Sequence, residues 1–433
     1  MIHSAKAISP ISEVQFKPNS ERSKVLDALR AIAVLLVLGR HTSVSEVWTR
    51  IGWCGVDLFF VLSGFLISGL LFQEYKRFGD LSLKTFWLRR GLKIYPAFYV
   101  YTAALSLTYW LILNKFHGGK FPLRALWVDA TFLSSYFQGL SGHTWSLAVE
   151  EHFYLLLPLF LVMLIKLGRR KDDPFTCIPL VFLGIATASL LLRMAATPAN
   201  PTDHLKYLFP THLRMDSLFC GVVLGYLFHF KPRLLARVSG WPFLFAGGAL
   251  LTPICILNVE NWHIYTWGLS CTYLGFAFIL VWAIHLPVPR RNLLTVPLNL
   301  LARVGFYSYS IYLWHWLVVN FFRPCFRYQC ITTGTPVEWS STWETWQWPL
   351  SIVFSILLGI AMAAVVEQPM LRHRDRWFPS RTQNPAAPSI NNPDSLSVGR
   401  GISTTTLYRR EESGPVSEPL MEEKPRSLTI GQS

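Results

Sequence analysis

Charge is what this sequence has least of. Only 15% of its 433 residues are Asp, Glu, Lys or Arg, against 52% hydrophobic. A soluble chain carries about a quarter, so an ordinary water-facing surface is excluded. The seven cysteines are scattered, with no CxxC pair and no zinc-ligand spacing, so no metal site and no redox dithiol is expected. Cys325 and Cys330 fall in a predicted non-cytosolic loop, where a disulfide and two free thiols both fit. No N-x-Ser/Thr sequon occurs, because Asn200-Pro201-Thr202 carries the excluded proline. There is no inverted internal repeat of the kind found in many secondary transporters. The chain is polar up to Lys24, and no cleaved signal peptide is visible.

Long apolar runs are plentiful. Ten of them centre near residues 40, 63, 104, 156, 185, 221, 250, 276, 313 and 359, each long enough to cross a hydrocarbon core of about 30 Å. The expected fold is all-α: a multi-pass integral membrane protein with about ten transmembrane helices in one bundle. The chain divides into a short cytosolic segment (1–23), a membrane domain (24–372) and a disordered cytosolic tail (373–433) rich in Ser, Thr, Pro and Asn. The net charge of +15 suggests a polyanion at first sight. Its placement argues otherwise: most lysines and arginines fall in both tails and the even-numbered turns, the positive-inside bias that puts both termini in the cytosol. No nucleic-acid partner is implied. Trp48, Trp53, Trp241, Trp262 and Trp267 sit where an aromatic belt would form. Small residues four apart, Gly64 with Ser68 and Gly221 with Gly225, predict close helix packing.

Polar residues inside the apolar runs carry the functional information, since ionisable groups in a bilayer cost free energy and those that persist usually line a path or a site. Arg30 and His41 are three helical turns apart, on nearly one face and roughly 16 Å from each other. Arginine suits phosphate through its planar fork, and histidine suits proton transfer near neutrality. Pairing of Arg30 with Asp27 and of His41 with a neighbouring helix fits equally well. Asp57 and Ser63 stand in the second run. Arg89-Arg90-Gly-Leu-Lys93 reads either as a topology signal or as a docking surface for an anionic cofactor. His143 and Glu150, seven apart at the entry to the fourth run, share a face if both are helical. Glu150 and Glu151 also suit a helix N-terminus. Arg214 opens the sixth run with Asp216, and Ser308, Tyr312 and His315 follow i, i+4, i+7 spacing. Glu367 closes the tenth. Together they predict one internal polar cavity.

In order, these strings resemble the membrane-bound acyltransferase-3 family, which includes O-antigen and peptidoglycan O-acetyltransferases. The resemblance rests on Arg30-x10-His41, G-V-D-L-F-F-V-L-S-G-F from Gly55, the Arg89–Pro96 run, T-W-S-L-x-x-E-x-x-F-Y from Thr144, R-x-D-x-L-x-x-G from Arg214, S-Y-S-I-Y-L-x-H from Ser308, and Glu367-x-Pro369. It implies transfer of an acyl group, usually acetyl, from acyl-coenzyme A as co-substrate to a hydroxyl, with no permanently bound cofactor. Under that resemblance Arg30, Arg89, Arg90 and Lys93 hold the coenzyme A phosphates. His41 acts as base or as an acylated intermediate, with Glu150 orienting it or relaying a proton. Asp57, Ser63, His143, Arg214, Tyr312 and His315 are the candidates for acceptor binding. The acceptor is a carbohydrate or a small lipophilic secondary metabolite such as a polyketide or terpenoid, the latter favoured in a fungal enzyme of the plasma membrane or endoplasmic reticulum. Departures from the family pattern are Ala28 in place of glycine, Lys93 in place of arginine, and Arg40 beside His41. The competing class is a proton-coupled transporter, in which the same His, Asp and Glu residues form a proton path.

Overall fold

The computed structural model describes residues 21–42, 45–116, 121–168, 173–286, 295–322 and 341–382. Cys325, Cys330 and the tail beyond residue 382 lie outside them. Twelve principal helices are named here: α1 (Glu21–Thr42), α2 (Gly55–Phe78), α3 (Leu83–Phe116), α4 (Trp145–Leu167), α5 (Ile178–Ala196), α6 (Met215–Phe230), α7 (Trp241–Leu250), α8 (Leu269–His285), α9 (Thr295–Phe306), α10 (Ser308–Phe322), α11 (Ser341–Met362) and α12 (Gln368–Trp377). No strand occurs among the described residues. The domain is all-α, as its composition predicts.

Among the described residues, five stretches are long and apolar enough to cross a membrane: Glu46–Phe78, Trp145–Leu167, Ile178–Ala196, Ile264–His285 and Trp346–Trp377, with Met215–Phe230 and Trp241–Leu250 apolar but shorter. The difference from ten apolar runs has visible causes. α1 and α3 each carry several charges, and the run near 313 is split at Tyr307 into α9 and α10. α1 starts before residue 24 and α12 continues past residue 372, so the helical domain is slightly longer than the apolar pattern suggests.

Burial separates centre from periphery. The apolar window of Glu46–Phe78 is 78% buried, whereas that of Ile178–Ala196 is 17% buried, with Leu180, Leu183 and Leu191 exposed. An apolar helix left uncovered suits lipid contact, because lipid tails are as apolar as leucine. α2 is therefore the central post. It packs most extensively on α6, and its glycines explain why: a Cβ at Gly64 would strike the Leu218 carbonyl, and one at Gly221 would strike the Val61 carbonyl. These are the small residues read from the sequence. Gly225 lies against Ser68, whose hydroxyl returns to the Gly64 carbonyl at 2.7 Å. α2 ends at Gly79, left-handed at φ 71°, whose N–H caps the Tyr75 carbonyl. α1 packs on α9, and α10 on α11. Trp53 is buried rather than interfacial, and it lines an internal cavity.

Candidate active site

The polar residues gather around two cavities rather than one. The larger, about 250 Å³, is lined by Arg30 from α1, Ser63 from α2, Arg90 and Lys93 from α3, and Glu150 and Tyr154 from α4, with Ser308, Tyr309 and Tyr312 from α10. Its other walls are mostly apolar side chains of α2, among them Phe59, Leu66 and Leu70, with Gln73 of α2 and Ser146 and Leu147 of α4. The smaller, about 130 Å³, is lined by Arg40 and His41 from α1, by His143, Trp145 and Arg214, and by Trp53 and His204. Val56 and Tyr312 line both and form the partition. Helix α1 thus presents Arg30 to one chamber and Arg40 with His41 to the other.

In the larger chamber three basic side chains converge from two helices. Arg30 is held loosely by Asp27 at 3.4 Å, with both side chains partly exposed. Arg90 lies over the Tyr154 ring, 5.6 Å from its centroid. Arg89 is elsewhere: it pairs with Asp375 of α12 at 2.9 Å and also donates to the Phe378 carbonyl. Glu150 accepts from the Tyr154 hydroxyl at 3.0 Å, and Ser63 is bonded to that hydroxyl at 2.7 Å. Its immediate partner is thus tyrosine, on the opposite side of the partition from His41. Glu151 accepts from Tyr95 at 3.0 Å, and Glu367 accepts from Ser310 at 2.6 Å.

The smaller chamber is dominated by rings. His41 lies 5.2 Å from His315 and 5.2 Å from Trp316, centroid to centroid. His143 lies 4.9 Å from His315 and stacks on Trp316 at 5.4 Å. His143 precedes α4, so the helical spacing to Glu150 does not apply, and the two residues line different chambers. Its loop is fixed from below by Asp129, which accepts from the Leu140 amide at 2.7 Å and from Thr144 at 2.8 Å. Burial pushes the Asp129 carboxyl up to about 6, against the opposite pull of those hydrogen bonds. Tyr312 is pinned to Ser146 at 2.6 Å and donates to the His143 carbonyl at 2.8 Å. Arg40 donates to the Thr49 carbonyl at 2.6 Å, which accounts for an arginine beside the histidine: it ties α1 to the next short helix. His204, hydrogen-bonded to Tyr265, has its pKa lowered by burial and then by the charge of Arg40.

Asp57 and Arg214, both read as acceptor-binding candidates, are joined to each other at 2.8 Å and buried. Arg214 also lies over Phe60 and Trp145. A second buried pair, Arg193–Asp216 at 2.8 Å, braces α5 against α6. Sequence reasoning missed Arg193, Asp129, His204 and Trp316, and gave Tyr154 no role although it closes the string from Thr144. A lone arginine in the apolar run near 185 and a lone aspartate before the fourth run were the available signals.

Comparison with known proteins now gives this architecture a class. The family model described as an acyltransferase domain, acyltransferase-3, matches residues 24–367. The chain belongs to that family, and its long apolar helices suit a membrane. Among its relatives is the peptidoglycan O-acetyltransferase OatA of Listeria monocytogenes, 27% identical over 387 residues, which cover 80% of this chain and 56% of the relative. The O-acetyltransferase OatA of Staphylococcus aureus is 30% identical over 314 residues, covering 68% of this chain and 50% of the relative. The chain spans about half the length of the curated relatives it matches. No solved structure matches it.

Proposed function

We propose that this chain moves an acyl group, acetyl by preference, from acyl-coenzyme A on the cytosolic side to a hydroxyl acceptor in the smaller chamber. The observation that carries the reading is the shared partition: a cation-lined chamber and an imidazole-lined chamber meet at Val56 and Tyr312. Arg30, Arg90 and Lys93 suit the coenzyme A phosphates, because guanidinium and ammonium groups bind phosphate oxygens by charge-assisted hydrogen bonds. The apolar flank of α2 suits the extended pantetheine arm. Arg89 belongs to a second tier, since Asp375 already occupies it.

In this reading the thioester carbonyl reaches the partition, and His41 removes the proton of the acceptor hydroxyl as the oxygen attacks. The new C–O bond forms, the C–S bond breaks, and the proton passes to the departing thiolate. An acetyl-imidazole intermediate at His41 gives the same products in two steps. Ser63, Tyr154 and Glu150 form a hydrogen-bonded relay beside the donor arm. His143 and Tyr312 frame the acceptor, with His315 packed behind them. Asp57 and Arg214 hold α2 to the start of α6 and shape the wall. About ten crossings with both termini cytosolic is the topology that fits a cytosolic donor. The named activity of the Listeria relative, peptidoglycan O-acetylation, favours a carbohydrate acceptor over a lipophilic metabolite and favours transfer over proton-coupled transport.

The test is transfer of acetyl-labelled acetyl-coenzyme A in nanodiscs to a panel of sugars and lipophilic alcohols. The expected result is an O-acetyl ester that requires His41. Acetyl-coenzyme A that neither binds nor loses its label in the presence of the panel would overturn the proposal.

A further inference from the structure

The histidine cluster carries more information than its composition. A carbonyl oxygen only accepts hydrogen bonds, so a ring nitrogen bonded to one carries the hydrogen. His315 Nδ1 is bonded to the Tyr312 carbonyl, and His143 Nε2 to the Leu313 carbonyl at 3.2 Å. In each neutral imidazole the other nitrogen is then a bare acceptor. Those two atoms, His315 Nε2 and His143 Nδ1, are buried and have no hydrogen-bond partner among the described residues. The residues themselves are 0% and 2% exposed. An unsatisfied buried acceptor is costly and calls for a donor.

We infer that His315 is a positioning residue for His41: its Nε2 accepts a hydrogen bond from one ring N–H of His41. The inference rests on the acyltransferase reading for its consequence, not for its geometry. The two rings stand 5.2 Å apart and tilted by 39°. An N–H···N bond of about 2.9 Å between facing ring nitrogens spans that separation. His41 is only half-buried, so its ring has room to turn towards His315. Trp316, edge-on to His41 and stacked on His143, confines that turn.

The chemistry follows from the tautomer. With one nitrogen of His41 held as N–H by His315, the other is fixed as the base that receives the acceptor's proton. The neutral lone pair of His315 then steadies the imidazolium while the C–O bond forms, until the proton moves on to the thiolate. The carboxylates of the neighbourhood are engaged elsewhere, Glu150 by Tyr154 and Asp57 by Arg214. A second imidazole takes the place that a carboxylate fills in a Ser-His-Asp arrangement.

The experiment uses the full chain in nanodiscs with acetyl-labelled acetyl-coenzyme A, in three forms: unsubstituted, His315→Leu and His315→Gln. His315→Leu is expected to lower thioester cleavage at saturating donor by about 100-fold with donor affinity unchanged. His315→Gln, whose amide oxygen still accepts, is expected to stay within about tenfold of the unsubstituted protein. In 15N-histidine spectra, His41 should occupy one tautomer in the unsubstituted protein, with a 15N–15N coupling to His315. Equal losses in both variants, with folding and donor binding intact, would reduce His315 to packing and overturn the inference. So would absence of the coupling in the unsubstituted protein. A protein that never cleaves the thioester defeats the acyltransferase reading, and the coupling still decides the imidazole pair.

Discussion

Each of the two chambers has two arginines in its wall, and one from each, Arg214 and Arg30, are held in opposite ways. Arg214 is locked to Asp57 at 2.8 Å with both side chains almost wholly buried, whereas Arg30 meets Asp27 at 3.4 Å with 28% of its side chain exposed. A buried pair is costly to break because the partner's charge stays behind. A partly exposed pair contributes little. The smaller chamber therefore uses its arginines as structure, Arg214 on Asp57 and Arg40 on the Thr49 carbonyl, and the larger chamber keeps its cations available. The same contrast holds for the other groups: rings fixed by backbone carbonyls on one side, and a hydroxyl–carboxylate relay with loosely held bases on the other.

Substitutions can break this contrast in a graded order. Arg214→Leu leaves Asp57 buried and uncompensated, and is expected to cost about 3–5 kcal/mol of stability, read as a large drop in thermal midpoint. Arg30→Ala should cost under about 1 kcal/mol of stability. It should, however, weaken acetyl-coenzyme A binding by about tenfold, measured by titration calorimetry, because a charge-assisted phosphate contact is lost. Equal stability losses in the two variants would erase the distinction.

Asp129 gives a smaller, pH-dependent effect. Its folded carboxyl is raised to about 6 from the usual 3.8, so the native state holds a proton that the unfolded state has released between those values. Its contribution to stability is therefore present below about pH 4 and lost as pH rises through 6. Asp129→Asn should remove that slope: the difference in thermal midpoint between unsubstituted and variant protein should shift as pH falls from 7 to 5, in favour of the unsubstituted protein. Arg89→Ala should have the smallest effect on the donor, under about twofold in acetyl-coenzyme A affinity, because its partner is Asp375.

The sequence made the helical class legible, because apolar runs of that length have few other uses. It also placed Arg30 and His41 on one helix, since the 3.6-residue period fixes their relation without knowledge of neighbours. Where it misled, the cause was an assumption about what is helical. Arg89, Arg90 and Lys93 read as one basic surface, but α3 begins at Leu83, so they lie on a helix, where adjacent residues point about 100° apart. Arg90 and Lys93, three apart, face the chamber together, while Arg89 turns to α12. His143 and Glu150 were related by a helix that starts only at Trp145. The Asp57–Arg214 pairing joins residues 157 apart, and no local pattern encodes it. The division into two chambers depends on how α2 and α10 are packed, which periodicity cannot supply.

The most direct test compares binding with chemistry in a single variant. Acetyl-coenzyme A affinity and cleavage of its labelled acetyl group would be measured for unsubstituted and His41→Ala protein in the same nanodiscs. If the chambers divide the work as described, His41→Ala binds the donor within about twofold of the unsubstituted protein and loses at least about a thousandfold in cleavage. Cleavage that persists without His41, or donor affinity that falls along with it, would contradict the division.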